Sequence, residues 1–109
     1  MQVYLFEAEN TGLYKIGVSK NAKKRIKQIQ TGSAYKLKII KTFDSKYAFK
    51  IESTLHRKLN QYRVDEYGEK MLIGEWFALE DDKIDNFSTW CESAHKGFSA
   101  LENSNNPFF

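Results

Sequence analysis

Two acids stand in a stretch of chain otherwise given over to bases. Between Lys15 and Arg63 there are fourteen basic residues and two acidic ones, Asp44 and Glu52, a net charge of +12. The remainder holds three lysines and twelve acids and is −9. A block this basic attracts phosphate backbones and loses affinity as salt rises; the plainer alternative is a solvated face balanced by the acidic C-terminal part. A carboxylate inside such a block suits a divalent cation. Mg²⁺ (or Mn²⁺) takes oxygen ligands, often one or two carboxylates with water and substrate phosphate filling the rest. Glu52 is the candidate metal ligand, and an ion pair with Lys50 or Arg57 is its structural alternative. Arg25 offers a planar fork of donors to an anionic phosphate whose charge grows in a transition state. His56 follows Glu52 by four residues, so on a helix the two share a face. It fits three uses: orienting water, ligating the metal or contacting phosphate. A satisfied structural histidine is the alternative.

These residues need elements to hold them. Gln2 to Glu7 reads as a strand, Asn10-Thr11-Gly12 as a turn and Leu13 to Val18 as a second strand, together an N-terminal β-hairpin. In the second strand Leu13, Lys15 and Gly17 face one side and Tyr14, Ile16 and Val18 the other. Ser19 or Asn21 caps a helix running to about Gln30, with Ala22, Ile26 and Ile29 as its apolar stripe and Thr31-Gly32 as its end. Lys20, Lys23, Lys24 and Lys27 lie largely off that stripe and are candidate nucleic-acid contacts. Lys36 to Phe43 reads as a third strand whose alternation is only half clean. Asp44 or Ser45 caps a second helix to about Tyr62, in which Ala48, Ile51, Leu55 and Leu59 share an arc and Glu52 sits at its edge. Val64 to Lys70 is polar and turn-like. Gly74-Glu75-Trp76-Phe77 reads as a short strand or extended segment, and Asp81-Asp82 caps a third helix burying Ile84, Phe87, Cys91 and Ala94. The order predicts an α+β domain with a small, mostly antiparallel three-stranded sheet flanked by helices.

The lone Cys91 excludes an internal disulfide and a thiolate zinc site. A Cys–His pair with His56 or His95 and an inert helix-face cysteine are the two readings left to it. No run of about 18 apolar residues suggests a transmembrane helix. The first residues lack a signal-peptide pattern, so a cytoplasmic protein is expected.

Over about Val3 to Leu79 the chain resembles the GIY-YIG endonuclease superfamily, in particular a compact phage and bacterial branch. Gln2-Val3-Tyr4 stands where that family has its first motif and Lys15-Ile16-Gly17 where it has its second. Arg25 lies eight residues past Gly17. Glu52 with Leu55-His56 is similar to the branch's E-x-x-L-H, and Gly74-Glu75-Trp76-Phe77 to its G-E-W-F. The resemblance implies a nuclease domain over residues 1–80; the residue pattern adds a C-terminal helix over 81–101 packed on the same domain, and the Asn/Ser composition a flexible tail over 102–109. The resemblance also implies hydrolysis of a DNA phosphodiester bond, with Glu52 holding the ion, Tyr4 positioning or activating water and Arg25 holding the scissile phosphate. Lys15 replaces the second tyrosine of the pattern and offers its own charge to phosphate. Tyr14, its neighbour, points to the opposite face of a regular strand and takes that role only if the strand bulges. The runner-up is a non-catalytic nucleic-acid-binding or regulatory protein of the same fold. A homodimer, and a protein partner for the Asn106-Pro107-Phe108-Phe109 tail, complete the expected partners.

Overall fold

The computed structural model describes residues 1–65, 67–71 and 74–104. The expectations for the Pro107-Phe108-Phe109 tail lie outside the described residues. Five strands form one sheet in the order β3-β1-β2-β5-β4, with every pairing antiparallel. They are β1 (Gln2–Ala8), β2 (Leu13–Ser19), β3 (Leu37–Asp44), β4 (Arg63–Val64) and β5 (Trp76–Ala78). The helices are α1 (Ala22–Gln30), α2 (Ala48–Lys58) and α3 (Asp81–Asn103). The α+β class is as expected. The three-stranded sheet is not: β4 and β5 extend it past β2. Strands of two and three residues leave no periodic signal, and their pairing is non-local.

Alternation along β1 divides the core. Tyr4 and Phe6 turn to one face and pack with Ala22, Ile26 and Ile29 of α1 and with Ile39. Val3 and Leu5 turn to the other, against Ile51, Leu55, Phe77, Phe87 and Cys91. So α1 covers one face of the sheet while α2 and α3 cover the other. Asn21 caps α1 by accepting from Lys24 N at 3.1 Å, and the Gln2 side chain accepts from Ala22 N at 2.7 Å. Caps of this kind contribute about 1 kcal/mol each. The strand β3 carries a bulge: Leu5 faces Lys41 and Phe6 faces Ile39, leaving Ile40 as the extra residue. That extra residue reverses the parity of the strand and explains its half-clean period.

Helix α2 begins later and ends earlier than its pattern suggests. Neither Asp44 nor Ser45 caps it; its first-turn neighbour is Tyr47, without a side-chain cap, and residues Asn60–Tyr62 form a separate 3-10 turn. Ser45 instead accepts from Tyr47 N at 2.9 Å and bonds His95 Nδ1 at 2.7 Å, joining β3 to α3. In α3, Glu80 holds the cap position, and Asp81 and Asp82 lie in the first turn, where the helix dipole favours negative charge.

Candidate active site

The site forms at the C-terminal end of β2, beyond its described pairing with β5. Strand β5 pairs with Leu13, Tyr14 and Lys15, and one further backbone bond joins Ile16 N to Glu75 O at 3.0 Å. Among the described residues no strand pairs with this edge of β2 from Gly17 onward. His56 fastens that edge, its Nε2–H donating to the Ile16 carbonyl at 2.9 Å. A carbonyl can only accept, so Nε2 carries the proton and is not free for a metal. Helix α2 thereby brings Glu52, on the same flank as His56, to the end of the sheet.

Gly17 lies directly across from Tyr4 on β1. A Cβ at position 17 would meet Tyr4 Cζ at 2.5 Å, so glycine is required for the ring to lie there. Tyr4 is 1% exposed and stacks on Phe6 with ring centroids 3.9 Å apart. Burial pushes its phenol above the ordinary range; hydrogen bonding from Arg25 pulls the other way, and the nearby Glu75 and Glu52 carboxylates add to the rise. Tyr4 therefore holds its proton at neutral pH. The Glu52 carboxyl is also raised, first by burial and then by Glu75, against an opposing pull from His56. Tyr4, Arg25, Glu52, His56 and Glu75 are thus one electrostatic cluster. Glu52 makes no ion pair among the described residues, which removes the Lys50 or Arg57 alternative.

Lys15 follows the face rule rather than the bulge. It points to the α1 side, 3.5 Å from the Glu75 carboxylate and 5.5 Å from the Trp76 ring centroid. Tyr14 points into the opposite core and donates to Glu7 at 3.3 Å. It takes no part in the site.

The four lysines around α1 do not gather there. At about 100° per residue, Arg25 and Gln28 lie on one flank of the helix and Lys23 and Lys27 on the other. Lys20 and Lys23 line a separate cavity of about 360 Å³ beside β3, with Gln2, Thr42 and Asp44. Lys24 and Lys27 are exposed. Neither histidine activates Cys91. His56 is committed to Ile16 and His95 to Ser45, while burial pushes the fully buried thiol up to about 12.

Glu75 is the member of this cluster that sequence reasoning passed over. It was visible only as part of Gly74-Glu75-Trp76-Phe77, and its proximity to Glu52 depends on the pairing of β5 with β2. For a hard divalent ion the donor set is suitable: Glu52 is half-buried, bears no ion pair among the described residues and has a second carboxylate nearby. Among the described residues no three histidine, cysteine or acidic groups form a closed cage, so water or substrate oxygens must complete any coordination. No helix among the described residues is long and apolar enough to cross a membrane.

A family model of the T5orf172 domain matches residues 1–92. No curated protein and no solved structure matches the chain. The matched family is a distinct one, and this overturns the assignment to the GIY-YIG superfamily. The motifs behind that assignment were incomplete, with Gln2 in place of a glycine and Lys15 in place of a tyrosine. The match covers the whole sheet, α1 and α2, and the first half of α3. The chain belongs to the T5orf172 domain family, a phage-type family of nuclease-like, nucleic-acid-associated domains.

Proposed function

We propose that the chain is a divalent-metal-dependent endonuclease that hydrolyses phosphodiester bonds in DNA. One observation carries this reading: the Tyr4 hydroxyl, lying across from Gly17, feels the Arg25 guanidinium and the Glu52 and Glu75 carboxylates, so that charged groups carried by α1, by α2 and by the residue before β5 act on one phenol. Glu52, with Glu75 beside it, would hold Mg²⁺ or Mn²⁺. When bound, such an ion stabilises the negative charge that builds on phosphate and leaving-group oxygens. Arg25 binds the scissile phosphate through its guanidinium and is oriented by the Tyr4 hydroxyl. Tyr4 Oη keeps its proton and positions water as a hydrogen-bond partner rather than acting as a phenolate base. The His56 ring holds the β2 edge in place and lowers the cost of an ionised Glu52.

The test is nicking of supercoiled plasmid with Mg²⁺ or Mn²⁺. Wild-type protein cuts, and Glu52→Ala and Arg25→Ala each lose about a hundredfold or more while keeping the native circular dichroism spectrum. Activity equal to wild type in both variants would defeat the proposal. A second reading, nucleic-acid binding without cleavage, draws on the Lys15–Glu75 ion pair, which occupies both side chains at the site. Salt-sensitive binding without cutting across metals and substrates would favour it.

A further inference from the structure

Beside the Tyr4–Gly17 cluster, on the same face of the sheet, lies a cavity of about 250 Å³ whose lining includes Lys15, Gln28, Ile29, Ser33, Leu37 and Trp76. We propose that this cavity is a nucleobase subsite, and that the nucleotide next to the phosphate held by Arg25 is unpaired, its base stacked on Trp76. The inference rests on the nuclease reading for the neighbouring phosphate, and it names the substrate class that reading leaves open.

Three observations carry it. Trp76 pairs with Lys15 across the β2–β5 ladder, so both side chains stand on the α1 face. Lys15 and Gly17 are two residues apart along β2, a separation of about 7 Å, so the cavity adjoins the reactive cluster. Gln28 follows Arg25 by three residues on the same flank of α1, which puts an amide within the wall that the arginine begins.

The lining has the chemistry of a base site. An indole supplies a stacking surface; the Lys15 ammonium now lies over its ring, 5.5 Å from the centroid, and a stacking base would displace it toward the phosphate of the same nucleotide. An aromatic platform beside a cation is what single-strand binders use, and each stacked base is worth about 1–3 kcal/mol. The Gln28 amide and Ser33 hydroxyl offer donors and acceptors to a base edge. The wall formed by the loop after α1 is fixed: the Gln30 side chain donates to Tyr35 O at 2.8 Å and accepts from Leu37 N at 2.7 Å. A base inside a duplex is stacked on both faces and cannot enter a walled cavity, whereas an extruded or single-stranded base can.

The test is a titration in EDTA, so that cleavage plays no part, with a short single-stranded deoxyoligonucleotide and the matching blunt duplex. The single strand quenches tryptophan emission in wild-type protein and not in Trp76→Phe, which assigns the quench to Trp76. Trp76→Leu weakens single-strand binding about tenfold or more and duplex binding by less than twofold. A strand carrying abasic sites repeats the comparison on unaltered protein and loses both the quench and the affinity. Equal loss on single strand and duplex, or an abasic strand that binds and quenches like the intact one, overturns the subsite. A protein that passes this test and cuts nothing keeps the subsite and loses the nuclease reading. A protein that cuts and fails it loses only the subsite.

Discussion

The Tyr4 ring occupies the space that any side chain at Gly17 would need. The two residues are cross-strand partners on β1 and β2, and a Cβ on Gly17 would come to 2.5 Å from Tyr4 Cζ. The clash is with a ring that is itself stacked on Phe6 and 1% exposed, so the ring has nowhere to retreat.

Gly17→Ala should therefore displace Tyr4 from Arg25. Overpacking at a buried site costs about 1–3 kcal/mol, read as a lower urea midpoint with unchanged slope. Nuclease activity should fall at least tenfold, because a misplaced positioning group costs rate even when the fold holds. A variant with wild-type activity would show that the Tyr4 ring position is immaterial.

Glu52 bears a stability cost that a cation would relieve. Burial raises its pKa in the folded chain, so the folded form binds the proton more tightly than the unfolded form does. Stability from this group is full below the ordinary carboxylate range and is lost as pH rises through the raised folded value. At pH 7 without metal, Glu52→Gln should melt a few degrees above wild type, and the gap should close in acid. Mn²⁺ should raise the melting temperature of wild type and leave the variant unchanged. Calorimetry at two pH values, with and without Mn²⁺, reads both effects; a variant less stable than wild type at pH 7 would contradict them.

Cys91 should behave as an inert core residue. It is fully buried and its thiol is pushed up to about 12. A disulfide reagent should leave the native protein unlabelled and react completely once the chain is unfolded. Cys91→Ser should keep activity and lose about 1–3 kcal/mol of stability, through a buried hydroxyl without a compensating partner. Rapid labelling of the native protein with loss of activity would revive the Cys–His reading.

Much of this was legible in the sequence where the signal is local. The hairpin followed from β-forming residues around Asn10-Thr11-Gly12, and α1 from its cap and apolar stripe. The edge position of Glu52 on α2 followed from helical periodicity. What escaped was non-local. The bulge at Ile40 inverted the faces of β3, and alternation alone cannot locate an extra residue. Strands β4 and β5 exist only through pairing. The short strand over residues 74–77 was legible, but its partner was not, and the pairing with β2 is what brings Glu75 to the site and Trp76 beside Lys15. The lysines of α1 read as part of one basic group with Arg25, yet they lie on the side opposite the apolar stripe while Arg25 lies on the flank that faces Tyr4.

The central claim is that Tyr4, Arg25 and Glu52 form one cleft built to hold a divalent ion against a phosphate. Its most direct test is a crystal soaked in Mn²⁺ and examined by anomalous scattering. The account predicts a peak at ligand distance from a Glu52 carboxylate oxygen, about 2.0–2.2 Å, on the side of Gly17 that faces Arg25. A Mn²⁺ ion bound elsewhere with Glu52 untouched would contradict it.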